Sequence, residues 1–289
     1  MTMNEFPTVL RARRFIREVG STTIPASLDA YVEHVGAVIH REHDLEPNQP
    51  AFSFSGRGKY YICINAKDSP ERQRFSICHE LAHFVLQLPS DHKEIPWRSY
   101  AGKSPNEILC DVFAAELLLP YEFFRPFVAK SDFSLAAVDE LGQHFEASNM
   151  ATGSRFAALS PAPCAFVLAE KGEVRYTSRS TALRDVGAWI PPRTALPKGS
   201  AAERVRVGEA YGGPQDVQAE IWFSNWERGG LLLEDARHLT QWDQTVALLW
   251  FEDEEAPPVR KNRQKREEEE FGLAELDGIL PWPDKRRRR

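Results

Sequence analysis

One stretch constrains this chain more than any other: Phe75-Ser76-Ile77-Cys78-His79-Glu80-Leu81-Ala82-His83-Phe84-Val85-Leu86. Apolar residues recur at Ile77, Leu81, Phe84, Val85 and Leu88, which is helical spacing, and Ala82 and Leu86 fill the gaps. The pattern predicts a helix that is apolar nearly all round and therefore buried. Such a helix has no cheap place for two imidazoles and a carboxylate. Burying them costs on the order of several kcal/mol unless they are paired or hold a metal.

The spacing selects the metal. His79 and His83 are four apart, so they stand one above the other on a single helix face and both ring nitrogens reach one ion. Glu80 points about a quarter-turn away, placed to reach a water on that ion without ligating it. His-Glu-x-x-His is the pattern of zinc peptidases. A third ligand is offered by the stretch Asn106 to Pro120, which reads as a second helix with Pro105 before it and Pro120 closing it. Glu107 and Asp111 are four apart and share a face. Glu116, nine residues beyond Glu107, falls about half a turn out of phase and reads as a solvated helix glutamate. Glu107 is therefore the expected third ligand, with Asp111 behind it holding the free nitrogen of a ligand histidine, expected to be His79.

These segments carry a family resemblance. Glu71-Arg72-Gln73-Arg74-Phe75 leads into His79-Glu80-Leu81-Ala82-His83, and Cys110-Asp111-Val112-Phe113-Ala114-Ala115-Glu116-Leu117-Leu118-Leu119-Pro120 follows. Together they resemble the ImmA/IrrE metallopeptidases, bacterial zinc proteins that cleave helix-turn-helix repressors. The resemblance spans about Thr23 to Pro120, weakens towards Ser160 and is only architectural beyond. Carried over by position, it implies zinc on His79, His83 and Glu107, with manganese as the alternative ion, and Glu80 as the catalytic glutamate. It further implies an XRE-type repressor as substrate, whose cleavage would turn on a DNA-damage or other stress response. Cys78 stands where relatives often have alanine, which adds a thiol beside the site.

Composition narrows the partners. The 289 residues carry a net charge of −6, which argues against nucleic-acid binding by electrostatics, and 42% hydrophobic residues suffice for a core. The four cysteines, Cys63, Cys78, Cys110 and Cys164, show no paired spacing, as expected of reduced thiols in a cytosolic protein. No apolar run resembles a signal peptide or a membrane span, so a cytoplasmic location without a membrane partner is expected.

Before the metal helix, residues 4–18 read as an amphipathic helix and Leu28 to Val35 as another, closed by Gly36. Ala37–His40, Ala51–Phe54 and Tyr60–Asn65 read as strands, the last two around a turn at Ser55-Gly56-Arg57-Gly58. Tyr60–Asn65 is the candidate to lie beside the metal helix and pair with an extended substrate. In the loop between the two metal-site helices, His92 and Tyr100 are candidates to stabilise an oxyanion, against the plainer reading of loop residues.

Residues 121–160 read as helical, with helices flanking Glu146-Ala147-Ser148 at helix-turn-helix spacing. Only Arg155 is basic in the second helix, and Asp139, Glu140 and Glu146 lie nearby, so direct DNA contact is disfavoured. From Pro161 the pattern turns to strands at Cys164–Leu168, Val174–Arg179, Val217–Trp222, Leu231–Leu233 and Val246–Phe251, with a helical turn over Leu183–Trp189. The resemblance implies a GAF-like sensor here. Trp222, Phe223, Trp226, Trp242 and Trp250 are candidates for a ligand pocket, with core packing as the plainer use of most of them. Beyond Asp253, alternating charge blocks read as a disordered tail.

The expected fold is α+β. It comprises a mostly helical zincin-like peptidase domain with a small sheet (1–120), a helix-turn-helix-like helical segment (121–160), a mixed α/β GAF-like domain folding separately (161–253) and a charged tail (254–289). The expected function is zinc-dependent, site-specific cleavage of an XRE-type repressor. Two rivals stand beside it: a zinc-dependent sensor that does not cleave, and a DNA-binding regulator. An intact Glu80 argues against the first and the acidic balance against the second.

Overall fold

Among the described residues, seven helix starts are written as serines. Ser27, Ser69, Ser104, Ser134, Ser148, Ser180 and Ser200 each have extended backbone and accept the amide three residues on. Each such cap satisfies an amide the helix cannot, worth roughly 1 kcal/mol. The computed structural model describes residues 5–46, 49–89, 104–210, 212–224, 226–252 and 255. His92, Tyr100 and the tail from 256 on lie outside them.

Helices α1 (Glu5–Val19) and α2 (Leu28–Val35) lead into strands β1 (Ala37–Glu42), β2 (Ala51–Gly56) and β3 (Lys59–Asn65). Then come α3 (Pro70–Leu86), α4 (Pro105–Leu118), α5 (Tyr121–Val128), α6 (Leu135–Phe145) and α7 (Asn149–Leu159). The remainder is β4 (Cys164–Glu170), β5 (Glu173–Arg179), α8 (Thr181–Asp185), α9 (Ala201–Arg206), β6 (Gln215–Gln218), α10 (Ala219–Trp222), β7 (Leu231–Leu239) and β8 (Gln244–Trp250). The architecture is mixed α/β with two sheets. No described helix is long and apolar enough to cross a membrane.

The first sheet has the order β1-β3-β2, with β1 parallel and β2 antiparallel to β3. This corrects the expectation for Tyr60–Asn65. That strand is central, its backbone is taken on both sides, and it has no edge to offer a substrate. Among the described residues the edges of this sheet are the outer sides of β1 and β2. The face of β2 also runs against its pattern. Phe52 and Phe54 look like the core-facing residues, yet Phe54 is 47% exposed and stacks on Tyr61 at 5.1 Å, while Ser53 points at α3.

Helix α3 is buried through Ile77, Cys78, Leu81, Ala82 and Leu86. Phe84 is the exception to the all-round reading. It is 41% exposed and packs its ring 4.6 Å from that of Tyr60 at the mouth of a cleft. Helix α4 packs along α3 and α1, and Leu109, Cys110, Phe113 and Leu117 fill the space between.

The second sheet is antiparallel, in the order β5-β4-β8-β7-β6. Its strands alternate between two cores. Phe166, Leu168, Tyr176, Val246, Leu248 and Trp250 face α7 and join the same apolar cluster as Phe113 and Leu81. Val167, Val174, Leu232, Ala247 and Leu249 face the other way, with Leu183, Ala202 and Trp222 over them. A Cβ on Gly153 of α7 would lie 2.4 Å from the ring of Phe166, so only glycine permits this close approach of helix and sheet.

Two strand expectations change. Val217–Trp222 is split between the end of β6 and α10, because Trp222 turns inward and donates its indole N–H to Glu234 at 3.0 Å. β7 runs on to Leu239, past charged residues that hid it. Glu234 and Asp235 are buried within it because backbone amides saturate them.

Candidate metal centre

Helical phasing does the first half of the assembly. His79 and His83 share one face of α3, Glu107 and Asp111 share one face of α4, and the two faces meet. His79 Nε2 lies 2.9 Å from Glu107 Oε2 and 3.2 Å from His83 Nε2, and His83 Nε2 lies 3.4 Å from Glu107 Oε1. One donor atom from each of His79, His83 and Glu107 falls within 4.8 Å of the others. A tetrahedral ion with N and O bonds of about 2.05 Å needs donors about 3.3 Å apart. The two imidazoles and the carboxylate fit a zinc-like ion in chemistry and in spacing.

The rings are held from behind. His79 Nδ1 lies 2.9 Å from Asp111 Oδ1 and His83 Nδ1 lies 3.3 Å from the Leu88 carbonyl. These acceptors turn both Nε2 atoms towards the cluster and fix the tautomer that leaves their lone pairs available. Asp111 thus lies where spacing put it, behind His79.

The electrostatics are those of anionic groups crowding two rings. Burial, the largest influence on His79, opposes a charge there, but the hydrogen bonds with Asp111 and Glu107 outweigh it and push the ring's pKa up to about 10. Burial alone would raise the carboxyl of Glu107. The hydrogen bonds with His79 and His83 overcome that and hold it far below the ordinary carboxylate range. A cation in this position would replace the proton between these groups.

Glu80 is 3% exposed and lies off the three-donor cluster. Ser53 of β2 donates its hydroxyl to Glu80 Oε2 at 2.5 Å, and the hydroxyl of Tyr60 sits 2.5 Å from Ser53 Oγ and 3.0 Å from the Glu80 carbonyl oxygen. Burial, against the Ser53 hydrogen bond, pushes the Tyr60 phenol up to about 12, so it stays a donor. Sequence reasoning missed both residues. The available signal was the serine face of β2, polar on a strand beside a buried glutamate.

A cleft of about 920 Å³ opens beside His83. Phe84 and Leu88 of the α3 end, Ser53 and Phe54 of β2, and Arg11 and Phe15 of α1 border it.

Glu116 lies on the opposite side of α4, as phasing required, but it is not solvated. It is 1% exposed, accepts from Arg13 Nε and the Tyr121 amide at 3.0 Å each, and pairs with Arg155 of α7. Two guanidiniums from distant elements neutralise it, which spacing along one helix cannot reveal. Arg155, the one basic residue of α7, the second helix of the α6–α7 pair, is thereby spent inside the protein. Among the aromatic residues proposed for a pocket, Trp222, Phe223 and Trp250 are core, Trp226 stacks on Phe251 at 5.8 Å, and Trp242 is on the surface.

Fold and donor cluster together define a metal-binding type of centre between two helices, of the kind metalloproteins use. Residues 32–156 match the peptidase family described as the IrrE N-terminal-like domain. The radiation response metalloprotease IrrE of Deinococcus radiodurans is 27% identical over 115 residues, covering 39% of this chain and 35% of that protein. IrrE of Deinococcus deserti is 32% identical over 92 residues, covering 31% of this chain and 33% of that protein. The chain thus spans about a third of the length of the curated relatives it matches. A solved structure of a Mycobacterium tuberculosis transcriptional regulator shares the fold with a TM-score of 0.55 at 14% identity, over 85% of this chain and 76% of that one.

Proposed function

We propose that this chain is a zinc-dependent, site-specific endopeptidase that cleaves a helix-turn-helix (XRE-type) repressor and so derepresses a DNA-damage or other stress response. The observation that carries the reading is the convergence of donor atoms from His79, His83 and Glu107, with the buried Glu80 next to His79 on the same helix. His79, His83 and Glu107 would hold the ion, with Asp111 and the Leu88 carbonyl keeping the rings in register. When bound, the ion supplies Lewis acidity towards a peptide carbonyl and a water molecule. Glu80 takes the proton of the attacking water and passes it to the leaving amine. The outer edge of β2 holds an extended substrate as an added strand, with the cleft beside His83 receiving its side chains.

The repressor as substrate rests on the resemblance and on the relatives' role in radiation response. The five-stranded sheet, with helices over one face and the catalytic half over the other, supports a GAF-like sensor. Against direct DNA contact stand the burial of Arg155 and the packing of α7 on β4 and β5. Four free, buried cysteines suit a reducing, cytoplasmic compartment.

The test is co-incubation of the zinc-loaded protein with an XRE-type repressor encoded beside it. Glu80→Gln keeps its zinc, because the ligands stay, and loses on the order of 10²–10⁴-fold in rate, because the base is gone. Cleavage by this variant at the wild-type rate would exclude the mechanism. Zinc uptake without any cleavage by the wild type would favour the sensor reading.

A further inference from the structure

The polar contact that the zinc chemistry leaves unexplained is on β2. Ser53 occupies one oxygen of Glu80 at 2.5 Å, and Tyr60 is in turn 2.5 Å from the serine oxygen. The two strand residues are diagonal neighbours. Ser53 is opposite Ile62 and Ser55 is opposite Tyr60, so both side chains emerge on the face towards α3. The Tyr60 ring is pinned by Phe84 at 4.6 Å, and its hydroxyl also reaches the main-chain oxygen of Glu80 itself. Strand, helix and carboxylate are therefore tied at three points within one side-chain length.

Resting on the peptidase reading above, we propose that Ser53 is a positioning residue for the Glu80 base and that Tyr60 orients Ser53. A glutamate has three side-chain torsions, and without an anchor the carboxylate samples several rotamers. The Ser53 hydroxyl commits Oε2, which leaves Oε1 as the oxygen that exchanges protons with water. Because Ser53 lies on an edge strand, the base is registered against the strand proposed to hold the substrate. A shift of that strand moves base and substrate together, and the alignment of attacking water and peptide is preserved. Misplacement of a catalytic group by about 1 Å costs on the order of 10²-fold in rate.

The experiment compares wild type, Ser53→Ala, Ser53→Thr, Tyr60→Phe and Glu80→Gln as full-length, zinc-loaded proteins. The probe is a proteome-derived peptide library read by mass spectrometry, followed by kinetics on the best-cleaved peptide. Zinc content is measured for each protein, and the crystal structure of Ser53→Ala is solved. Ser53→Ala is expected to keep its zinc, to hold KM within about twofold and to lower kcat by roughly ten- to a hundredfold, with the Glu80 carboxylate in altered rotamers. Ser53→Thr restores kcat, and Tyr60→Phe gives a smaller loss with the same split. An unchanged kcat in both Ser53→Ala and Tyr60→Phe, or an unmoved Glu80 carboxylate in Ser53→Ala, would overturn the positioning role. So would a loss confined to KM or to zinc content. A wild type no faster than Glu80→Gln would instead overturn the peptidase reading on which the role rests.

Discussion

The α3–α4 pair and the five-stranded sheet both bury acidic side chains, and they use them in opposite ways. In the sheet, Glu234 takes the amides of Ala201 and Ala202 at 2.9 and 2.7 Å and the indole of Trp222, and Asp235 takes the amide of Leu135 at 2.7 Å. These partners are neutral donors that the fold itself delivers. In the helical pair, Glu107 and Asp111 face imidazoles whose charge depends on a proton or a cation. A buried carboxylate closed off by backbone amides is a structural member. One that meets convergent ring nitrogens depends on a proton or a cation to balance its charge. Glu116 shows that the distinction is not one of address. It shares a helix with Glu107 but is closed off by Arg13 and Arg155, and so belongs with the sheet.

The strongest way to break this comparison is to remove the sheet. Its strand pattern suggested a unit folding alone, yet Phe166, Leu168, Tyr176, Val246, Leu248 and Trp250 sit in the apolar cluster that also holds Leu81 and Phe113. A chain ending at Ser160 is expected to lose helicity by circular dichroism and to fail to retain zinc. A folded, zinc-binding fragment would show two independent units.

Next in size is the contrast of two glutamates on one helix. Glu116→Ala leaves two guanidiniums in the interior and should cost about 3–5 kcal/mol in urea unfolding. Glu107→Ala should leave the protein folded while zinc affinity falls by more than the roughly 10–100-fold typical of changes behind a metal ligand. Metal analysis and unfolding curves of both variants decide it. The reverse pattern would exchange their roles.

The seam between the halves can then be tested by one methyl group. Gly153→Ala forces a Cβ into the ring of Phe166, and an overpacked core typically loses about 1–3 kcal/mol. The readout is thermal unfolding, and an unchanged Tm would mean that α7 and β4 part more easily than their contact implies.

The smallest effect concerns pH. Burial holds the Glu234 carboxyl above its ordinary value, against the lowering effect of Trp222 and the two amides. A raised folded value means that the folded state binds this proton more tightly than the unfolded chain. The resulting stabilisation is complete below the unfolded value of about 4.3 and is lost as pH rises through the folded one. The stability of wild type minus that of Glu234→Gln should therefore decline as pH is raised from about 4. A flat difference would show that the hydrogen bonds fully compensate the burial.

The site was legible where it depends on one helix. His79 and His83, and Glu107 and Asp111, are paired by the period of 3.6 residues, which is a property of the local chain and needs no partner. Ser53 and Tyr60 were not legible. Their strands are 27 and 20 residues from Glu80, and which face of a half-exposed strand turns inward depends on what packs against it.

The sequence by itself determined the donor set, its grouping into two helical faces, the serine caps that start the helices, and the alternation of strands after Pro161. Tertiary structure alone decided that the two faces meet at 2.9–3.4 Å, that β3 is central and β2 an edge strand, that Glu116 is neutralised rather than solvated, and that one core runs through both halves. The physical reason is range. Helical phase and capping are set within one turn of chain, whereas the burial of a charge and the choice of a strand's inner face are settled by groups far away in sequence, whose arrival no local pattern records.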